Sequence, residues 1–232
     1  MNSGIFVTGT DTEVGKTLVS AAIMHQAKKL YDCVLGYKPV VAGLSMIDGK
    51  LENEDVLVLQ KTGSRRLDPD WICPYRLTKP IAPHIAAHLD NIKLEPSHML
   101  SGYSKIKDLS DFVVVEGVGG FVVPITNEYD TSRFAQDIDL PVVLVVGIRL
   151  GCLNHALLSA EIIAKRGLKL LGWVANCIDP NISKSIDPNI ETLRKLLEPP
   201  CLGTIPFLQN AQTPYTNRSI GIVEKYLEIP LN

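Results

Sequence analysis

No two cysteines of this chain are spaced as a CxxC pair. The five present, Cys33, Cys73, Cys152, Cys177 and Cys201, lie far apart and are odd in number. Such a set excludes a disulfide frame or a zinc knuckle and implies free thiols in a reducing compartment. An excess of charge of one sign is missing too. The 23 Lys and Arg stand against 25 Asp and Glu, for a net charge of −2, and the basic residues are scattered. Nucleic acid is therefore not the expected main partner. No apolar run nears the roughly 20 residues that cross a bilayer, and no charged leader precedes Ile5-Phe6-Val7. A cytosolic chain without membrane contact is the expectation. At 46% hydrophobic residues, disorder is excluded as well. The 232 residues suit a single α/β domain spanning 1–232.

What is there begins with Gly9-Thr10-Asp11-Thr12-Glu13-Val14-Gly15-Lys16-Thr17, directly after a short apolar run. A strand, a tight polar loop and a helix start make a cradle for a triphosphate. Backbone N–H groups and the helix N-terminus attract phosphate oxygens, Lys16 adds a compact positive charge, and Thr17 offers a hydroxyl to Mg²⁺. The spacing departs by one residue from the usual loop. Thr10 stands where glycine is the norm, and the glycine is at Gly9.

Along the chain, short β-rich runs alternate with helical patterns, which predicts βαβ units around a mostly parallel sheet flanked by helices. Strands are expected at Ile5–Val7, Val34–Tyr37, Phe112–Val115, Val142–Val146 and Leu170–Ala175. The unbroken apolar runs among them suit strands buried on both faces. Helices are expected at Lys16–Leu30, Asn53–Thr62 with Asn53 as cap, His84–Leu89, Leu94–Ile106 and Leu153–Arg166. Pro69–Pro83 shows little regular pattern, and past Pro180 the chain turns Pro-, Asn- and Ser-rich.

Ligands of such sheets bind beyond the carboxyl ends of the strands. Three polar groups fall there. Glu116 closes Phe112–Val115 and precedes Gly117-Val118-Gly119-Gly120, so it reads either as a metal ligand beside a substrate-approaching turn or as a solvated strand end. Lys38 is a second anion ligand or a surface charge. Asn176 could pair with adenine through its amide, or simply form a turn. Asp55 stands near a helix start, where an acid also complements the helix dipole. The segment Arg149 to His155 opens a helix whose N–H groups could hold a carboxylate, or is a plain helix start. His84 and His88 lack the glutamate and third ligand of a metal motif, and a structural role suits them.

Together these segments resemble dethiobiotin synthetase, the ligase of the biotin pathway. The resemblance is carried by Phe6–Thr17, Gly36-Tyr37-Lys38-Pro39-Val40, Asn53-Glu54-Asp55, Pro83-His84, Val115–Gly120, Val145-Val146-Gly147 with Gly151–His155, Gly172–Asn176 and Gly203-Thr204-Ile205-Pro206. It spans most of the chain to about Phe207, fading over Pro180–Pro200 and the C-terminal tail, and the displaced first glycine is normal for the family. The resemblance implies a P-loop fold and an ATP- and Mg²⁺-dependent reaction of 7,8-diaminopelargonate with CO₂. It implies that Lys16 and Lys38 contact phosphate and carbamate as catalytic residues, and that Thr17, Asp55 and Glu116 surround magnesium. Thr12 and Glu13 would face phosphate and the diamine, while Val14, Gly15, Gly117 and Gly119 belong to the nucleotide-binding loops. Asn176, Cys177, Gly203, Ile205 and Pro206 would hold adenine. It further implies a homodimer in which Gly151, Cys152, Leu153 and Asn154 reach the substrate carboxylate from the partner subunit. Ala42 departs from the serine common at that point, and the role of His155 stays open.

The main rival is a ParA/MinD-type ATPase switch, whose signature lysine four residues before the second loop glycine is replaced here by Asp11. A cobyrinate-amidating enzyme would need a glutaminase domain, and a nucleotide kinase an Arg-rich lid. Arg65-Arg66 is the only adjacent arginine pair.

Overall fold

A computed structural model describes residues 3–179, 186–208 and 215–231, so part of the Pro-, Asn- and Ser-rich stretch past Pro180 lies outside the described residues. In chain order the elements are β1 (Ser3–Gly9), α1 (Lys16–Ala27), β2 (Val34–Tyr37), β3 (Val40–Ala42), β4 (Ser45–Ile47), β5 (Lys50–Glu52), α2 (Glu54–Thr62), α3 (Pro69–Ile72), β6 (Tyr75–Leu77), α4 (Pro83–Leu89) and α5 (Pro96–Asp108). There follow β7 (Phe112–Glu116), α6 (Thr131–Ile138), β8 (Val142–Ile148), α7 (Cys152–Lys165), β9 (Leu170–Cys177), α8 (Ile186–Leu196), β10 (Cys201–Ile205) and α9 (Asn217–Glu224).

Six of these strands form a parallel sheet in the order β10-β9-β8-β1-β7-β2. The continuous apolar runs follow from burial on both faces. Ile5 and Val7 of β1, Val114 of β7 and Val143 and Val145 of β8 join the core under α1, α2 and α9. The alternate residues Phe6, Val113, Val115, Leu144 and Val146 join the opposite core with α5, α6 and α7. Strand side chains alternate faces, so a strand between two helical layers must be apolar at every position.

Local chemistry explains where the elements depart from the sequence reading. Helix α1 stops at Ala27 rather than Leu30 because the chain tightens into i→i+3 bonds, Lys29 N to Gln26 O and Leu30 N to Ala27 O, and Leu30 is exposed. The Pro69–Pro83 stretch is not irregular throughout. Asp68 caps α3 by accepting from Asp70 N at 2.9 Å, Pro69 opens that helix, and β6 pairs in parallel with β3. Helix α5 starts at Pro96, where a missing N–H costs nothing, not at Leu94. Two further elements carry weak signals. Helix α6 buries only Phe134, Ala135 and Ile138 as apolar side chains, and β10 is a short strand beside β9. Asn53 caps α2 as expected, accepting from Asp55 N at 3.0 Å.

The C-terminal helix docks on α1, the helix that carries the glycine loop. Gln26 Nε2 donates to Glu224 O at 3.0 Å and Leu227 O at 2.7 Å. The Glu224 carboxylate takes His25 Nδ1 at 2.5 Å and also meets the Lys29 ammonium. Partial burial would raise the Glu224 pKa, but the hydrogen bonds from Lys29 and His25 outweigh it and hold the carboxyl below its ordinary value. Such a group stabilises the fold fully above the unfolded-state pKa of about 4.3, and the contribution disappears as pH falls through the depressed folded value. Both partners are substantially exposed, so Glu224→Gln should cost about 1 kcal/mol at pH 7. Denaturation midpoints of the two proteins should converge as pH falls below the unfolded-state value. A gap that ignores pH would mean the charge is not what fastens α9.

Candidate active site

The glycine loop leaves β1 at the carboxyl edge of the sheet and turns into α1. Gly15 is the N-cap of α1 with φ +90°, a left-handed conformation suited to glycine, and no side chain caps the helix. The first N–H groups of α1 thus have no side-chain acceptor, which is the setting for an anion. The displaced glycine has a packing cause. A Cβ on Gly9 would meet Val14 Cγ2 at 2.6 Å and the Lys16 Cγ at 3.1 Å, so loop and lysine stem close directly over that position. Glu13 also adopts positive φ, at 59°.

Four side chains from four segments meet beside this loop. Thr17, on the first turn of α1, has Oγ1 2.7 Å from Asp55 Oδ1 and 2.8 Å from Glu116 Oε1. Lys38, just after β2, places Nζ 2.5 Å from Glu116 Oε1 and 3.0 Å from Asp55 Oδ2. Its ammonium also approaches Gly117 O at 3.3 Å. Lys38 is 2% exposed and Glu116 0%. Burial alone would depress the Lys38 pKa, but the charges of Asp55 and Glu116 more than offset it and hold the ammonium above the ordinary lysine range. Burial likewise opposes ionisation of Asp55, and Lys38 with Thr17 overrules it, lowering that carboxyl. Lys16 donates to Asp11 O at 2.8 Å. Burial, then the neighbouring Lys38, brings its pKa down to about 8 against the pull of the carboxylates.

These groups line a cleft of about 690 Å³ together with Thr12, Glu13, Gly119, Ala42, Ser45 and Tyr215. Its lining lysines are Lys16 and Lys38, against the acids Glu13, Glu54, Asp55 and Glu116. The cleft is therefore not a simple cationic basin, and a triphosphate there needs further positive charge. The donors suit a hard divalent cation. Thr17 has one proton for two carboxylate oxygens, and Glu116 Oε2 is buried with no hydrogen-bond partner among the described residues. A hydroxyl and two carboxylates are the protein's usual share of a Mg²⁺ shell, the remainder coming from phosphate and water. No three His, Cys, Asp or Glu side chains gather as a metal cage among the described residues.

A smaller hollow of about 220 Å³ adjoins the cleft, and Glu13, Gly15 and Tyr215 line both. It gathers Asn176, Cys177, Ile205 and Pro206 with Leu18 and Phe207. Asn176 Nδ2 donates to Val14 O at 2.9 Å, so one amide hydrogen braces the phosphate loop. Gly203 does not line the hollow. A Cβ there would lie 2.0 Å from Tyr226 O, so this glycine admits the segment after α9. Gly117 packs against Phe6, while its carbonyl faces Lys38.

The start of α7 stands apart from both spaces. Gly151 has φ +91°, Leu150 is 94% exposed, Cys152 is buried in the core and Leu153 packs on it. None of Gly151, Cys152, Leu153 and Asn154 lines either space. An ion pair between Arg149 and Asp11 nevertheless ties this helix start to the phosphate loop. His84 and His88 line a separate surface hollow beside α4. Sequence reasoning missed the Asp11–Arg149 pair and Tyr215. The residues paired are far apart in the chain, and Tyr215 lies in a polar stretch with no periodic signal.

A family model described as an AAA domain matches residues 3–214. ParA/MinD-type ATPases share the fold. The MinC:MinD complex of Aquifex aeolicus superposes with TM-score 0.58 at 17% identity, covering 96% of this chain and 89% of that one. A ParA family ATPase of Chlorobium tepidum gives 0.54 at 16%, covering 91% and 87%. Sequence relatives are far nearer. The ATP-dependent dethiobiotin synthetase of Aromatoleum aromaticum is 45% identical over 94% of this chain and 96% of its own length. That of Escherichia coli K12 is 38% identical over 96% and 99%. The chain belongs to the ATP-dependent dethiobiotin synthetase family.

Proposed function

We propose that this protein closes the ureido ring of dethiobiotin from 7,8-diaminopelargonate, CO₂ and ATP. The observation that carries the reading is the Lys38–Glu116–Asp55–Thr17 cluster set against Lys16 and the glycine loop. A neutral amine of the substrate attacks CO₂ and loses a proton, giving a carbamate. The carbamate oxygen takes the γ-phosphoryl group of ATP with release of ADP. The second amine then attacks the activated carbonyl carbon and loses a proton, the C–O bond to phosphate breaks, phosphate leaves, and the ring is closed.

Each residue has a role that its chemistry suits. An alkyl amine has a pKa near 10, and cationic neighbours disfavour its charged form. Lys16, on the loop, would hold the β- and γ-phosphates, and Lys38 would hold the carbamate and the transferring group. Preorganised charges of this kind stabilise the developing negative charge without reorganisation. Thr17, Asp55 and Glu116 would hold Mg²⁺, which supplies charge neutralisation between the phosphate oxygens. Thr12 and Glu13 would face the diamine, and Asn176, Cys177, Ile205 and Pro206 the base. The second amine is on the adjacent carbon, so ring closure gains from proximity, on the scale of about 7–11 kcal/mol in well-oriented cases.

The reading extends to a homodimer in which the α7 start, Gly151 to Asn154, meets the substrate carboxylate of the partner's site. The exposed Leu150, and the absence of Gly151 to Asn154 from the lining of their own cleft, support it. It also takes 1–232 as one functional α/β unit in the cytosol. Among the described residues no helix is long and apolar enough to cross a membrane.

Incubation with ATP, Mg²⁺, bicarbonate and diaminopelargonate should yield dethiobiotin by mass spectrometry, with ADP formed in step. ATP turnover indifferent to the diamine would favour a ParA/MinD-type switch instead. Against that alternative, Asp11 is engaged by Arg149, with its charge opposite to the signature lysine.

One substitution tests the loop itself. A Cβ on Gly15 would lie 2.2 Å from Asn176 Nδ2, at a φ few side chains adopt. Gly15→Ala should cost about 1–3 kcal/mol of stability and weaken ATP binding at least about tenfold, both read by calorimetry. Parental affinity in that variant would move the triphosphate elsewhere.

A further inference from the structure

Among the described residues Tyr215 is the one aromatic side chain lining both the phosphate cleft and the adjoining hollow. Its ring packs partly buried against the core beneath α1 and α9. Tyr215 is half-buried, and its hydroxyl is not one of the sealed polar atoms left without a partner, so it is open toward these spaces. Asp55, Glu116 and Glu54 are the charged groups that act on it. Burial first, and then these carboxylates, push the phenol up to about 12. At neutral pH the group is a donor that keeps its proton, held at the seam of two spaces.

We infer that Tyr215 contacts the middle of the bound nucleotide, its hydroxyl donating to an oxygen of the ribose or α-phosphate while its ring separates the base hollow from the phosphate cleft. The inference rests on the proposed use of ATP at this site. The placement follows from geometry. A nucleotide with its base near Asn176 and Pro206, and its γ-phosphate near Lys16, must pass the seam where Glu13, Gly15 and Tyr215 meet. Glu13 is acidic and has no proton to offer at neutral pH, and Gly15 has no side chain. Tyr215 is therefore the only side-chain donor of those three. A neutral donor also suits a site already crowded with carboxylates. It adds a bond to the nucleotide without adding a charge that would pull the Lys38 ion pairs apart.

The test separates hydroxyl from ring, and binding from chemistry. With full-length protein, dissociation constants for ATP, ADP, AMP and inorganic tripolyphosphate are measured by calorimetry in the absence of the diamine. Tyr215→Phe should weaken ATP, ADP and AMP alike by about tenfold, the scale of one hydrogen bond to a charged acceptor, and leave tripolyphosphate unchanged. Tyr215→Ala should weaken the three nucleotides further. In turnover, KM for ATP should rise in the Phe variant while KM for the diamine stays within about twofold. Unchanged nucleotide affinity in Tyr215→Phe overturns the inference, as does an equal loss for tripolyphosphate, which would place the hydroxyl on the terminal phosphates. Because binding is read without the diamine, a protein that bound nucleotide through Tyr215 yet made no dethiobiotin would sink the proposed reaction and not this contact.

Discussion

Lys38→Met is expected to lower dethiobiotin formation by about a thousandfold or more, while the variant binds Mg²⁺ alone more tightly than its parent. The first effect follows from the place of the ammonium. Removing one preorganised cation at a transferring phosphoryl group costs about 10³-fold or more in comparable sites. The second follows from what Lys38 does before substrate arrives. Its Nζ is 2.5 Å from Glu116 Oε1 and 3.0 Å from Asp55 Oδ2, on the two carboxylates a divalent cation would use. Ammonium and metal thus compete for the same carboxylates. With the ammonium gone, Asp55 and Glu116 lose their direct ion-pair partner and keep only the more remote Lys16 and the Thr17 hydroxyl, and Glu116 is fully buried. Breaking such a pair typically costs about 3–5 kcal/mol, and the partial exposure of Asp55 (34%) argues for the lower end. Mg²⁺ should then raise the melting temperature of the variant by more than it raises that of the parent. Turnover within tenfold of the parent would remove Lys38 from the reaction, and an unaltered Mg²⁺ response would end the competition argument.

The same competition describes a cycle for the parent enzyme. With the site empty of nucleotide, Lys38 offsets part of the charge of the two acids and keeps the cluster folded. Metal–nucleotide binding would take over that neutralisation at Asp55 and Glu116, freeing the ammonium to turn toward the carbamate. A lysine held above its ordinary range loses its proton only in strongly alkaline solution, so this stabilising contribution is fully present below the ordinary lysine pKa and persists across physiological pH. Lys16 differs. At about 8 it sits close to working pH, and a bound triphosphate would restore its charge.

Much of this arrangement is legible in the sequence because short-range chemistry writes it. An apolar run closed by Glu116, a Lys-Pro step after β2 and a Gly-Lys-Thr turn each announce a strand end or helix start within a few residues. The doubly buried strands β7 and β8 announce a covered parallel sheet. Harder to read are pairings that chain distance hides. Nothing near Asp11 marks Arg149 as its partner, 138 positions on. Strands β3 and β6 are three residues each and gain regularity only from pairing with one another. The signs of the charges were legible, but their balance was not. Composition shows Lys16 and Lys38 as cations near a phosphate loop, whereas the folded cleft sets four acids around them.

Glu116→Gln should raise the Mg²⁺ concentration for half-maximal activity at least about tenfold and lower kcat/KM for ATP about a hundredfold at low metal, with partial recovery as metal is added. The amide is nearly isosteric, so Thr17 keeps a partner and the strand end stays packed. What changes is the buried Oε2, which has no partner among the described residues and would face metal. An NH₂ there points donors at a cation. Lys38 would retain Asp55 alone, so the fold should weaken by less than in Lys38→Met, where both acids lose their counter-charge. Combining Lys38→Met with Glu116→Gln should therefore cost less stability than the sum of the two. Contacting buried partners usually show coupling of about 0.5–3 kcal/mol, and removing both charges spares Glu116 the loss of its ion pair that Lys38→Met alone imposes. Strict additivity in denaturant unfolding would mean the pair is not a unit. A magnesium titration that matches the parent would take Glu116 out of the metal's reach and leave it only the task of restraining Lys38.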